Sequence, residues 1–198
     1  MEKPFSQACE NNKMAILAVI RRYFESGTVL EIGSGTGQHA VYFAEQLPNV
    51  FWQTSDQDIY HAGINLWLKD YQNNNLGSPL SLDVNQDTWP LAEVNGIYSA
   101  NTAHIMDWSS VCRMFYKNSE ILKPGGYFCL YGPVNINGQY TSESNRHFDL
   151  QLRQRESGMG IRNLEDLQTL ASENQFEFVT KHAMPANNYT MVWRRTHS

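Results

Sequence analysis

Gly33, Gly35 and Gly37 stand at alternate positions directly after the apolar and β-branched run Thr28-Val29-Leu30-Glu31-Ile32. The residues that follow, from Gln38 to Leu47, predict a helix. A strand, a glycine turn and a helix start together form a cradle for the polar end of a nucleotide-like ligand. The missing side chains let the backbone approach closely, and the first helical N–H groups point outward. Two acids close later strands on the same pattern: "VFWQTSD" (50–56) ends in Asp56 and "PLSLD" (79–83) in Asp83. An acid at the end of the second strand is the type that accepts hydrogen bonds from ribose hydroxyls. Asp58 competes with Asp56 for that part, and capping the next helix is an alternative reading of either. A phosphate-binding Walker loop needs Lys after its last glycine, and Gln38-His39 stand there instead. The dinucleotide fingerprint places its third glycine at position 38. Here it falls at Gly37, which counts against an NAD-dependent oxidoreductase.

His104, three residues beyond the tip of the fourth strand "VNGIYSAN" (94–101), is the candidate catalytic group. An imidazole titrates near neutral pH and can act as a general base. Packing or capping the next helix is at least as good an account of it. No metal site is expected. Cys9, Cys112 and Cys129 are far apart with no CxxC spacing, and His61 beside Asp58 is isolated.

These residues need a scaffold, and the hydrophobic pattern supplies one. Asn11 to Ser26 carries Met14, Leu17, Ile20 and Phe24 at helical spacing, closed by Gly27. Strands are expected over 28–32, 50–56, 79–83, 94–101 and 127–133, with helices over 58–72 and 108–122 between them. "NNNLGSP" and "LKPGG" read as a loop and a turn. The long polar stretch 134–160 is expected to be loop with one helix, 143–155. A helix over 164–173 and the strands "FEFVTKHA" and "YTMVWRR" around "MPANN" complete the chain. The expected fold is α/β: a Rossmann-like doubly wound sheet of about seven strands, mostly parallel with an antiparallel C-terminal edge strand, in one domain over 1–198. At 198 residues with 41% hydrophobic content the chain can bury a substantial core. A net charge of −5 argues against a nucleic-acid partner held through its phosphates. Arg146, Arg153, Arg155 and Arg162 cluster, which a solvated helix face explains. The opening "MEKPFSQACENN" is too polar for a signal peptide, and no run is long enough to span a membrane, so a cytoplasmic protein is expected.

"VLEIGSGTG" resembles motif I of class I S-adenosylmethionine-dependent methyltransferases. The resemblance continues in order through Asp56, Asp83 and "LKPGG", over residues 29–126. A narrower one runs through "ACENNK", "TAHIMDW", "YGPVNINGQYTSESNRHFDLQLR" and "MPANN". These are similar to a small methyltransferase-like family without an assigned substrate (domain of unknown function 938), over nearly the whole chain. The resemblance implies S-adenosylmethionine as cofactor. Glu31, Gly33, Ser34, Gly35 and Gly37 would hold its amino-acid end, Asp56 its ribose, and Asp83 with Val84 its adenine, while Asn101 would face the methionine portion. For the substrate it implies Glu10 and Asn12 from the family's "ERN", here Glu10-Asn11-Asn12. It adds Tyr131, Asn137, Asn145, Asp149 and Arg153 after strand five, and Asn187 and Asn188 in the last hairpin. The chain lacks the Asn-Pro-Pro-Tyr of amino-directed DNA methylation. The expected function is methyl transfer to a small-molecule acceptor. The alternatives are a non-catalytic S-adenosylmethionine binder acting through a protein partner, and the NAD-dependent oxidoreductase.

Overall fold

In a computed structural model, described over residues 2–197, the strands form one seven-stranded sheet in the order β3-β2-β1-β4-β5-β7-β6. The strands are β1 (Gly27–Ile32), β2 (Val50–Asp56), β3 (Leu76–Ser81), β4 (Val94–Ala100), β5 (Leu122–Gly132), β6 (Phe176–Met184) and β7 (Asn188–Arg195). The first five run parallel to one another, and β7 pairs antiparallel with both β5 and β6. The antiparallel final strand therefore lies one place inside the edge, and β6 forms the edge itself. The helices are α1 (Gln7–Ile20), α2 (Gln38–Gln46), α3 (Asp58–Leu68), α4 (Trp108–Ile121), α5 (Glu143–Arg155) and α6 (Leu164–Glu173).

Each sheet face buries its own apolar layer. On one face Ile20 of α1 and Phe43 of α2 cluster with Trp52 and Tyr98 of the sheet, and on the other Phe115 of α4 and Leu167 of α6 cluster with Phe128 and Trp193. A fully buried side chain of this size contributes about 1.5–3 kcal/mol of transfer free energy. Together the two layers hold the sheet rigid enough to set its rim.

Helix α3 ends at Leu68, four residues short of the expected 72, and three further elements differ from the pattern-based reading. Helix α1 starts at Gln7, not Asn11, because the Ser6 hydroxyl caps it by accepting from the Cys9 N–H at 3.3 Å. Strand β3 starts at Leu76, taking in residues 76–78 that were expected as loop, and ends at Ser81, which leaves Asp83 two residues past the strand end. Gln53 lies across Gly77 and donates to the Ser78 carbonyl at 2.7 Å, a contact that a side chain at 77 would block. Proline and glycine are tolerated there because β3 is an edge strand. "LKPGG" is also drawn into β5, with Leu122 opposite Val94 and a register shift before the next pair, Tyr127 opposite Gly96.

The carboxyl ends of β1, β2, β4 and β5 form one rim. The chain runs outward from β1 through β2 to β3, then returns to place β4 on the other side of β1. That reversal opens a crevice above β1 and β4, where ligands bind in open α/β sheets.

Candidate active site

The glycine turn sits at this crevice. Gly33, Gly35 and Gly37 all have left-handed backbones, with φ of 75°, 58° and 88°. Gly37 starts α2 against α3, where a Cβ would stand 3.2 Å from the Ile64 backbone. At Gly35 a Cβ would meet nothing within 4 Å, so the turn has an open outer side. Beneath it Glu31 is 2% exposed, and its Oε2 accepts from the Ser34 hydroxyl (2.9 Å) and the Trp52 indole (3.1 Å). Burial pushes the Glu31 carboxyl up to about 7. The Ser34 hydroxyl also accepts from the Ser55 N–H at 3.1 Å, so this side chain points inward as a brace for Glu31.

Asp56 ends β2 and accepts from the Gly35 N–H and the Gln57 N–H, each at 2.8 Å. Burial raises its pKa against those two bonds. Asp58 lies in the first turn of α3, with an exposed side chain 3.9 Å from His61. Asp83 accepts from the Gln57 side chain and the Asn85 N–H, each at 2.9 Å, and Val84 beside it is buried. Gln57 thus ties the two acids together. It carries no motif signal, and only its place between them in the fold identifies it.

A cavity of about 430 Å³ lies at the tips of β4 and β5, linked to the turn through Asn12 on its wall and His39 on α2. Of the expected substrate residues, Asn12, Tyr131, Asn145 and Asn188 line it, as does Asn101, whose φ is 59°. Asn11 lines it as well, although it departs from the family's "ERN". The Tyr131 hydroxyl lies against Asn12 and Asn188, and the Asn12 carbonyl meets His39 Nε2 at 2.7 Å. Asn187 touches the site through its backbone carbonyl, which accepts from Asn145 at 3.0 Å.

Four expected substrate residues lie elsewhere. Glu10 pairs with Lys13 on α1 and does not line the cavity. Asn137 is at an exposed hairpin tip, its N–H donating to Glu165 at 2.9 Å. Asp149 is fully buried and accepts from the Tyr140 hydroxyl (2.7 Å), Arg153 (2.8 Å) and the Ile161 N–H (2.6 Å). It is a clamp between segments, and Arg153 lines a separate groove with Trp108 and Arg162. Polar character and sequence likeness picked these residues out, but their partners are internal.

His104 is buried, with its ring edge-on to Phe148 at 5.3 Å. A Cβ on Gly132 would lie 3.6 Å from its Nδ1 and 3.9 Å from the Asn101 Oδ1, which puts the imidazole beside the cavity. Burial, helped by Arg162, lowers its pKa to about 4. The N-terminal segment closes the other side of the turn. Gln38 brackets the backbone of Ser6, accepting from its N–H at 2.5 Å and donating to its carbonyl at 3.4 Å. Trp67 donates to the Pro4 carbonyl at 2.6 Å. Among the described residues no helix is long and apolar enough to cross a membrane.

The fold recurs in solved structures of low sequence identity. An O-methyltransferase family 2 protein from Planctomyces limnophilus, solved with apigenin, superposes with a TM-score of 0.83 at 13% identity, over 96% of this chain and 58% of that one. An O-methyltransferase family protein from Burkholderia thailandensis gives 0.84 at 9% identity, over 97% and 57%. Human N-acetylserotonin methyltransferase, in complex with S-adenosylmethionine, gives 0.73 at 15% identity, over 93% and 55%. The chain spans a little over half the length of each. A family model matches residues 3–195, almost the whole sequence. The chain therefore belongs to the family described as "Protein of unknown function (DUF938)", built on the fold of class I S-adenosylmethionine-dependent methyltransferases.

Proposed function

We propose that this protein is an S-adenosylmethionine-dependent methyltransferase acting on a small-molecule acceptor. One observation carries the reading: a left-handed glycine turn, open on its outer side at Gly35, stands over Glu31 and Asp56, and His39 two residues past it bonds Asn12 on the wall of a cavity of small-molecule size. The donor set suits the cofactor. Both protein bonds to Glu31 fall on Oε2, which leaves Oε1 to accept from an ammonium group. Asp56 keeps lone pairs for a pair of ribose hydroxyls after holding Gly35 and Gln57. Asp83 is the acceptor for an adenine amine, with Val84 as the apolar surface beside it. The open side of Gly35 gives such a ligand room to approach.

When bound, S-adenosylmethionine supplies a methyl group on a cationic sulfur. The protein's own contribution is alignment, which can be worth several kcal/mol of barrier. Tyr131, at the tip of β5, would position the acceptor, with Asn12, Asn145 and Asn188 fixing its far side, and Asn101 past the tip of β4 would stand between the acceptor and the methionine portion of the cofactor. His104 is the group assigned to take the acceptor's proton. Its lowered pKa keeps the imidazole neutral at pH 7 and makes it a weak base, suited to an acceptor with an acidic hydroxyl.

The test is calorimetric titration of S-adenosylmethionine and its demethylated product into the wild type, Asp56→Ala and Asp58→Ala. Asp56→Ala should lose about 1–3 kcal/mol of binding, through the unpaired hydroxyls and the freed Gly35 N–H. Asp58→Ala should bind as the wild type does. Equal affinity in a folded Asp56→Ala variant would remove the assignment.

A further inference from the structure

The cavity at the tips of β4 and β5 is walled by amides and carries no charged side chain among the described residues. Asn11, Asn12, Asn101, Asn145, Asn188 and Tyr131 are its main polar side chains, and Phe148 and two prolines give flat apolar faces. Four of the amides are held: the Asn11 oxygen accepts from the Gln7 side chain at 2.8 Å and the Asn12 oxygen meets His39 Nε2 at 2.7 Å, which leaves their NH₂ ends to donate, while Asn145 and Asn188 are locked the other way. The Asn145 Nδ2 donates to the Thr141 hydroxyl at 2.9 Å and the Asn187 carbonyl at 3.0 Å. The Asn188 Nδ2 donates to the carbonyls of Pro185 (3.3 Å) and Ala186 (3.2 Å). Only the NH₂ end of an amide can donate to a carbonyl, so these bonds fix which end is oxygen. What Asn145 and Asn188 have left to offer is an acceptor.

A carboxylate or phosphate in this cavity would meet the NH₂ ends of Asn11 and Asn12 but also the Asn145 and Asn188 oxygens, with no cation to balance its charge. An ammonium would leave water without a counter-charge, at a cost that neutral acceptors do not repay. A hydroxyl or amide N–H meets both demands. At about 430 Å³ the space lies within the range of small-molecule pockets.

We infer that this cavity selects an uncharged small molecule with a flat apolar body edged by hydroxyl or N–H donors, which Asn145 and Asn188 read through their side-chain oxygens. That this molecule is the methyl acceptor rests on the methyltransferase reading. The preference for a neutral donor rests on the cavity alone.

The experiment is ligand-observed NMR of the full chain with a fragment library holding matched neutral, anionic and cationic members. It is repeated on Ala8→Trp and Ser144→Trp, exposed positions on the cavity wall where an indole would block it. Fragments lost in both variants are cavity ligands. They should be neutral and donor-bearing, and Asn188→Leu should weaken the best of them about tenfold, the scale of a lost hydrogen bond in a desolvated site. Cavity ligands that are mainly charged, or no fragment lost on blocking, would overturn the inference. S-adenosylhomocysteine titrated into the same samples separates the two readings. Its failure to bind, with neutral fragments still held, removes the methyltransferase role and leaves the cavity's chemistry standing. Its binding, with charged fragments preferred, removes only the inference.

Discussion

Glu31 is held in a place that is costly for a carboxylate, and the cost has a sign. Its pKa is about 7 in the fold against an ordinary value of 4.5, because burial disfavours the charged form. A raised acid pKa means a contribution to stability that is present below pH 4.5 and lost as pH rises through 7. Glu31→Gln, which keeps an acceptor for Ser34 and Trp52, should therefore stabilise the ligand-free protein at pH 8 by up to about 3 kcal/mol and hardly at all at pH 4.5. Urea denaturation of both proteins at the two pH values measures this. The same variant should bind S-adenosylmethionine more weakly, since its ammonium loses a charged partner. A gain in stability paired with a loss of binding marks a group kept for the ligand. A loss in both would make Glu31 a structural residue. At this scale the sequence was legible where backbone chemistry spoke: Gly35 donates to Asp56, and Gln57 ties Asp56 to Asp83. It was not legible for Ser34, because a hydroxyl in a turn looks the same whether it faces a ligand or braces a neighbour.

Among elements, the turn between β1 and α2 divides its glycines by task. Gly37→Ala would place a Cβ 3.2 Å from the Ile64 backbone at a φ of 88°, so it should cost about 1–3 kcal/mol of stability. Gly35→Ala meets no atom within 4 Å and should cost only about 1 kcal/mol in left-handed strain. Its methyl group would nevertheless stand on the open side of the turn and weaken S-adenosylmethionine binding by about tenfold or more. Denaturation and calorimetry on the two variants should give opposite rankings, and the same ranking in both would dissolve the division. Helices 143–155 and 164–173 and strand 50–56 keep their expected bounds, and Ser142 caps the first by accepting from the Asn145 N–H at 3.1 Å. β3 was displaced because "LGSP" carries loop chemistry that an edge strand tolerates once Gln53 lies over Gly77. The early start of α1 rests on Ser6, a cap that precedes the apolar stripe by eight residues.

Across the whole molecule, the candidate site is assembled from distant segments: α1, the tips of β4 and β5, α5 and the last hairpin all reach one cavity. This is why the wall residues were the hardest to read. Likeness to a family marks polar residues without saying which face inward to each other and which face a ligand. Asp149 is the clearest case, since its three partners come from α5, Tyr140 and Ile161. Burial would raise its pKa, but the bonds from Arg153, Tyr140 and Ile161 outweigh that and hold it below the ordinary carboxylate value. Its contribution is therefore present at neutral pH and lost as pH falls through the lowered pKa. Asp149→Ala should cost about 2–4 kcal/mol at pH 7, measured by denaturation, and leave cofactor affinity unchanged. A variant that keeps its stability but loses S-adenosylmethionine would return Asp149 to the binding site. The central claim, that the glycine turn over Glu31 and Asp56 holds a methionine nucleoside, is tested most directly by one calorimetric series. S-adenosylmethionine, S-adenosylhomocysteine and NAD are titrated side by side into the purified protein. The account predicts saturable one-to-one binding of the first two and none of NAD; binding of NAD alone, or of none of the three, would contradict it.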